Sequence, residues 1–213
     1  MAPAFRLNTA ALLASGVFGR QVNAALEWSL SHTGTTHGED VEAAFAGRPD
    51  VVVASIWRSD HLLCERADEL AHASGVPWLP VVLDHSVLRI GPFVAPGDGP
   101  CFRCLDRRRI QHDHQWDSSH VLRAAYERDR TLGPEGFLPQ HARLAAGAAA
   151  RLLNRAASGI ATAGQVVTIQ LSALTLSLDR VVAVHGCDRC REAPVQEDLI
   201  SLLRLGGTET VRA

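Results

Sequence analysis

The sequence predicts an α/β protein whose mostly parallel sheet is extended by antiparallel strands towards the C-terminus. Near-continuous apolar runs at 51–56 and 78–83 are typical of parallel strands that are covered on both faces. A strand, a glycine turn and a helix open the chain, which is how a Rossmann-like unit begins. Two Cys-x-x-Cys pairs, one near the middle of the chain and one near its end, predict a metal that ties the fold together.

Residues 1–99 are predicted to form the Rossmann-like part. Leu7–Ala14 is an apolar strand, and the turn at 15–19 leads into a helix over Arg20–Leu30 with apolar residues on one stripe. After Pro49 and Asp50 the chain continues with a β-branched run, which is typical of a parallel strand covered on both faces.

That next strand is predicted over Val51–Ile56. Ser59 or Asp60 is placed to cap a helix over Asp60–Ala73, and Gly75 is placed to end it. A further buried strand is predicted over Trp78–Leu83.

Residues 100–192 are predicted to form a second, metal-tied part, which follows a run rich in glycine and proline. The polar segment 111–136 lacks periodicity, and we expect it to be an exposed crossover. The other predicted elements are a basic helix or turn over Leu105–Gln111, a helix over Gln140–Ala157 opened by Pro139, strands over Val166–Leu171, Leu174–Leu178 and Arg180–Val184, and a short helix over Gln196–Leu205 within the tail 193–213.

Composition indicates one soluble domain. The 213 residues are 46% apolar, which is enough for a buried core, and the net charge of −2 gives no reason to expect binding to nucleic acid or to a membrane surface. The N-terminus lacks the pattern of a signal peptide, and paired cysteines that bind metal suit a reducing compartment. We therefore expect a cytoplasmic protein.

The four cysteines Cys101, Cys104, Cys187 and Cys190 predict one structural zinc site. Two Cys-x-x-Cys pairs complete a closed tetrahedral shell, which leaves no position for a catalytic water. Disulfides, free thiols or thioredoxin-like redox chemistry are the alternatives. Because the pairs are separated by residues 105–186, the metal would join the middle of the chain to its end.

Three further motifs allow two interpretations each. Gly16-x-x-Gly19 is either a reduced nucleotide-binding loop or a tight structural turn. Histidines 112, 114 and 120 are either a second metal site or a solvated surface. The basic run of Arg107, Arg108 and Arg109 either binds an acidic partner peptide or is simply solvated.

The Cys pairs and their flanking residues resemble a known family. The runs Gly91–Gly97, Pro100–Cys104 and Gly186–Cys190, with Gly75–Val81 as a preceding strand, resemble the ThiF-like proteins of ribosomal-peptide natural-product clusters. Members of this family, which share the ubiquitin-activating and MoeB/ThiF fold, are cyclodehydratase partners or leader-peptide-binding proteins of azoline and thiopeptide pathways. The resemblance implies a zinc-containing partner of a precursor peptide and of a YcaO-type enzyme, as a homodimer or heteromer.

Departures from the family bear on mechanism. Active adenylating members have a fuller glycine loop and an Asp where this chain has Ala54-Ser55-Ile56, and covalent members have a thioester cysteine where this chain has none between 105 and 186. The winged-helix leader-binding module of longer relatives has no room before a sheet that starts near Leu7. We therefore expect a non-catalytic scaffold; the alternatives are an enzyme that adenylates a peptide or carrier-protein C-terminus, or a plain structural module.

Overall fold

The computed structural model describes residues 5–129, 132–133 and 136–190. Across these residues seven strands form one sheet: β1 (Thr9–Ser15), β2 (Gly34–Gly38), β3 (Val51–Trp57), β4 (Trp78–Asp84), β5 (Val87–Ile90), β6 (Gln165–Gln170) and β7 (Thr175–Arg180). Their spatial order is β2-β1-β3-β4-β5-β6-β7. The first four strands are parallel, and each later pairing is antiparallel. The predicted fold class is therefore confirmed.

Helices cover both faces of this sheet. In the described residues they are α1 (Gly16–Ser29), α2 (Val41–Ala46), α3 (His61–Ser74), α4 (Phe102–Gln111), α5 (Trp116–Arg128) and α6 (Pro139–Ala157). Helices α1 and α6 pack on one face, and α2, α3 and α4 contribute to the core on the other. None of these helices is both long and apolar enough to cross a membrane.

Helix α3 begins and ends where its capping residues predict. The side chain of Asp60 accepts a hydrogen bond from the backbone N–H of Leu63 at 2.9 Å, which satisfies a donor at the start of the helix. Gly75 ends the helix with a φ of 74°, a left-handed conformation that glycine adopts without steric cost.

One segment contains a helix that was not predicted, and one predicted strand is wrong. The segment 111–136 contains helix α5, whose buried residue is Tyr126. Because the helix is held largely by polar contacts, such as the ion pair of Arg123 with Asp106 at 3.2 Å, its sequence shows no apolar stripe. Residues 181–184 do not form a strand. Instead, the carbonyl oxygens of Val182 and Ala183 accept hydrogen bonds from the guanidinium of Arg108.

Three short elements were not predicted: β2, α2 and β5. Strand β2 is exposed and polar, so it carries little apolar signal. The predicted tail 193–213, with its helix over Gln196–Leu205, lies outside the described residues.

Candidate metal centre and neighbouring crevice

Four cysteine sulfurs converge beside helix α4. They belong to Cys101, Cys104, Cys187 and Cys190, and all lie within 4.8 Å of one another. The Sγ of Cys101 is 3.8 Å from that of Cys104 and 3.7 Å from that of Cys187, while the sulfurs of Cys104 and Cys190 are 3.5 Å apart. Thiolates around a tetrahedral ion at about 2.3 Å stand roughly 3.8 Å from each other. The predicted residues therefore form a group that can hold a metal ion, and their sulfurs are too far apart for disulfide bonds.

Helix α4 and the segment after β7 position these sulfurs. Cys101 is the N-cap of α4 and Cys104 lies in its first turn, so the helix starts within the first Cys pair and not at the predicted Leu105. The backbone N–H of Val184 donates to the Sγ of Cys104 at 3.3 Å. The two halves of the group are therefore joined by a hydrogen bond as well as by proximity.

Hydrogen bonding separates the pKa values of these thiols. The thiol of Cys101 donates a hydrogen bond to Cys104, and this bond lowers the pKa of Cys104 to about 4. The hydrogen bond from the backbone N–H of Val184 lowers it to a smaller extent. The bond between the two thiols raises the pKa of Cys101, and burial raises the pKa of Cys190 to about 12. Cysteine binds metal as the thiolate, so metal binding to this group releases protons.

Each Cys pair has an arginine before its second cysteine, and both arginines bind helix α3. Arg103 donates to Glu65 at 3.0 Å and to Asp188 of the other pair at 3.0 Å. Arg189 lies 3.0 Å from Glu65 and 3.1 Å from Asp68. Burial alone would raise the pKa of Glu65, but hydrogen bonds from Arg103 and the charge of Arg189 lower it overall.

Asp68 was missed by the sequence analysis although it contacts three parts of the site. Its carboxylate is fully buried and accepts from the indole of Trp78 at 3.1 Å, from the backbone N–H of Phe102 at 3.0 Å and from Arg189. A charged residue on the buried face of a helix, beside Ala67 and Ala71, was the available signal.

A crevice of about 310 Å³ lies where the parallel strands β1 and β3 end. Ligands of open α/β sheets bind at this edge. Trp57, Tyr126 and Phe137 line the crevice, and the guanidinium of Arg58 lies 4.2 Å from the ring of Trp57 and 4.3 Å from that of Tyr126. Helix α5 therefore reaches the edge of the crevice through an aromatic–arginine stack.

Both glycines of the motif beside this crevice are required by the backbone. Gly16 has a φ of 70° at the start of α1. A Cβ added at Gly19 would lie 2.3 Å from the carbonyl oxygen of Ser55, so the glycine allows α1 to pack closely on β3. These contacts favour the interpretation of the motif as a structural turn.

Glu39 is a second residue that the sequence analysis missed. It follows β2, and its carboxylate lies 3.4 Å from the guanidinium of Arg20 on α1. In Rossmann folds an acidic residue about 20 positions after the glycine turn contacts the ribose of a nucleotide. The spacing from Gly19 was the signal that would have identified it.

Two of the three arginines of the basic run on α4 line one cavity. Arg108 donates to the backbone oxygens of Val182 at 3.3 Å and Ala183 at 3.1 Å. Arg107 is exposed, whereas Arg108 and Arg109 line a cavity against the sheet. Histidines 112, 114 and 120 are exposed, and in the described residues the cysteines form the one group of three or more potential metal ligands.

Strand β7 forms an exposed apolar edge of the sheet. Leu176 and Leu178 are 65% and 57% exposed, and they line a groove of about 720 Å³ against helix α6. Arg143 and Arg151 lie on the α6 side of this groove. Exposed apolar surface of this kind commonly marks a site of protein–protein contact.

No family profile and no curated protein matches the sequence. Solved structures nevertheless share its fold. The heterocyclase TruD aligns with a TM-score of 0.59 at 20% identity, over 85% of this chain and 27% of TruD. A chain of the E. coli microcin synthetase McbBCD complex aligns with a TM-score of 0.64 at 15% identity, over 87% of this chain and 69% of its own.

A third structure is the microcin C7 biosynthetic enzyme MccB in complex with N-formylated MccA. It has a TM-score of 0.61 at 12% identity, over 88% of this chain and 69% of MccB. This chain thus spans about a quarter of the heterocyclase TruD and about two thirds of the other two. Identities this low establish a common fold and nothing further.

Proposed function

We propose that this chain is a zinc-containing, ThiF-like scaffold in the biosynthesis of ribosomally made peptide natural products. In this role it binds a precursor peptide, a YcaO-type cyclodehydratase, or both. The single observation that carries the proposal is the four-cysteine group on a sheet of this order, in a fold shared with a heterocyclase and two microcin biosynthetic proteins.

Zinc is the metal that we propose for the four cysteines. Closed shells of four thiolates are typical of structural zinc, and such an ion contributes folding free energy directly. The sulfur separations of 3.5 to 3.8 Å are in keeping with this ion. We assign it no catalytic role, because four protein ligands leave no open coordination position.

Partner binding is supported by the apolar edge of β7. In the described residues β7 pairs with β6 alone, so its other side offers backbone N–H and carbonyl groups to an added strand, and Leu176 and Leu178 supply apolar area beside it. The alanine face of α6 is used differently. Ala145, Ala146 and Ala149 are buried in the chain's own core, so a homodimer or heteromer would use the β7 edge and not this face.

A non-catalytic role is supported by the carboxylates that line the crevice in the described residues. Asp60 caps helix α3, and Glu127 lies 3.6 Å from Arg123. Both acids therefore already have intramolecular partners, whereas adenylyl transfer relies on acidic groups that hold Mg²⁺.

An adenylating enzyme is the second candidate, and Glu39 favours it. This residue stands where Rossmann folds bind ribose, on the same side of the sheet as Gly16. An adenylating enzyme would bind ATP and exchange pyrophosphate in the presence of its peptide.

A binding experiment tests the proposed scaffold role. The zinc-loaded full chain is titrated calorimetrically with any precursor peptide and any YcaO-type enzyme that its neighbouring genes encode. We expect micromolar or tighter binding to at least one of them. A scrambled precursor peptide is the control, and absence of binding to both partners would favour the plain structural module.

A further inference from the structure

Arg89 is a charged residue at an apolar position of the sheet. It lies on β5 between Val82 of β4 and Thr168 of β6, and β5 is flanked by strands on both sides. Its side chain points to the sheet face where Val82 and Val166 belong to the core with Leu105 of α4. Long charged side chains are rare at such positions unless they are paired.

No hydrogen bond or ion pair links the Arg89 guanidinium to any residue that the structure describes. The side chain is half-buried in a cavity of about 520 Å³ between α4 and the antiparallel strands. Burial lowers the pKa of Arg89 to about 10, and the nearby positive charge of Arg109 contributes to this shift. An unpaired guanidinium at this position therefore costs free energy, which a bound anion would offset.

Other cations surround the same cavity. Arg108, Arg109 and Arg180 line it together with Arg89, and Asp179 is the one acid among the described lining residues. The carboxylate of Asp179 accepts from the hydroxyl of Ser177 at 2.7 Å and forms no ion pair with the arginines in the described part of the chain. Positive charge is thus concentrated in this cavity, and the acidic groups of the described residues neutralise little of it.

We propose that this cavity is an oxyanion-binding site that takes a carboxylate or phosphate group on the guanidinium groups of Arg89 and Arg109. Guanidinium presents paired N–H donors in a plane that matches both groups, and such charge-assisted bonds are stronger than neutral ones. The oxyanion is either a free small anion or an acidic side chain of a bound peptide. The site does not depend on the proposed function, since it follows from the charges that line it.

The first arm of the test uses inorganic phosphate on the zinc-loaded full chain. Thermal unfolding is measured in sodium phosphate and in sodium chloride at equal ionic strength. We expect phosphate to raise the Tm of the wild type more than that of Arg89→Met. In chloride, Arg89→Met should be at least as stable as the wild type, because it replaces an unpaired cation with an apolar side chain.

Arg151→Met is the matched control. It removes the same charge from an exposed position of α6 on the other sheet face, so it should keep the full phosphate effect. Subtracting the control also removes the general stabilisation that phosphate gives any protein. An equal phosphate effect in Arg89→Met and in Arg151→Met would overturn the proposal.

The second arm distinguishes the two sources of the oxyanion. A fluorescent hexaglutamate peptide with blocked ends is compared with hexaglutamine by anisotropy. Selective hexaglutamate binding that weakens at least about tenfold in Arg89→Met assigns the site to peptide carboxylates. A response to phosphate alone, lost in Arg89→Met, assigns it to a free anion. If Arg89→Met fails to fold, Arg109→Met at the exposed rim must weaken the same response, and an unchanged response overturns the site.

Discussion

Asp68 links helix α3 to both Cys pairs through one buried carboxylate. It accepts from Phe102 in the first pair and from Arg189 in the second, while Trp78 holds it from strand β4. The four cysteines can hold a metal ion, and Asp68 contacts the chain at both Cys pairs. Supporting residues of this kind tune metal affinity in many sites.

Replacing Asp68 should destabilise the protein strongly. Asp68→Ala leaves the buried N–H groups of Trp78 and Phe102 without their acceptor and removes one of the carboxylates that contact Arg189, so we expect a loss of about 3–5 kcal/mol in the free energy of unfolding. Urea unfolding of zinc-loaded protein measures it. Glu42→Ala, which breaks an exposed pair with Arg66, should cost at most about 1 kcal/mol. Equal losses in the two variants would contradict the role of Asp68.

Cys187 should be required for metal binding and for folding. Elemental analysis of freshly purified protein should give one zinc per chain, and Cys187→Ser should lose the metal and become sensitive to protease, because zinc supplies folding free energy. Cys64→Ala is the control, since Cys64 is buried in α3 outside the group and burial raises the pKa of its thiol. Wild-type protein without zinc would rule out the assignment.

At the scale of elements, the segment after β7 is held by helix α4. Arg108 binds the backbone of Val182 and Ala183, a few residues before Cys187. Alanine at Arg108 should therefore speed zinc loss to a chelator by roughly tenfold, whereas alanine at the exposed Arg107 should not change it. Release is followed with a colorimetric chelator. Similar rates in both variants would mean that Arg108 does not support the site.

We predict that apolar side chains of the edge strand β7 contribute to partner binding. Leu176→Ser combined with Leu178→Ser should weaken binding of the precursor peptide or YcaO-type enzyme at least about tenfold, since interface anchors commonly contribute this much. Folding should survive, because both side chains are exposed. Trp28→Ser removes a larger exposed apolar group from α1 and serves as control. Undiminished binding by the double variant would move the interface elsewhere.

For the whole molecule, we expect no turnover of ATP by the chain alone. The crevice has a glycine turn that the backbone itself requires, and its described acids are engaged in other contacts. ATP–pyrophosphate exchange is measured with and without the precursor peptide, against an active adenylating enzyme as positive control. Exchange that is lost in Glu39→Gln would instead establish the adenylating alternative.

Much of the molecule could be predicted from local patterns. Val51–Trp57 is apolar throughout, and Asp60 and Gly75 have the chemistry of caps, so strand β3 and helix α3 follow from the sequence. The four cysteines could be identified because two Cys-x-x-Cys pairs are a recognisable pattern of metal ligands. Helix α5 could not be found this way, since its contacts are polar and come from distant residues such as Asp106.

The same limit explains what was missed in the site. Asp68 and Arg89 are single charged residues within otherwise apolar patterns, and only the tertiary structure reveals what surrounds them. Glu39 had a spacing signal, but it follows a strand too polar to be recognised. The basic run at 107–109 was interpreted as one exposed surface, whereas Arg108 and Arg109 line a cavity and Arg108 also donates to the backbone of Ala183.

The distance along the chain between the two Cys pairs also sets an order of events during synthesis. Cys101 and Cys104 leave the ribosome long before Cys187 and Cys190, so the ion cannot be fully enclosed until every described strand has been made. A nascent chain that stops short of Cys190 has at most three of the four ligands. With the proposed zinc bound, metal capture would act as a completion step, and only chains translated through the second pair would gain the stability that the ion supplies.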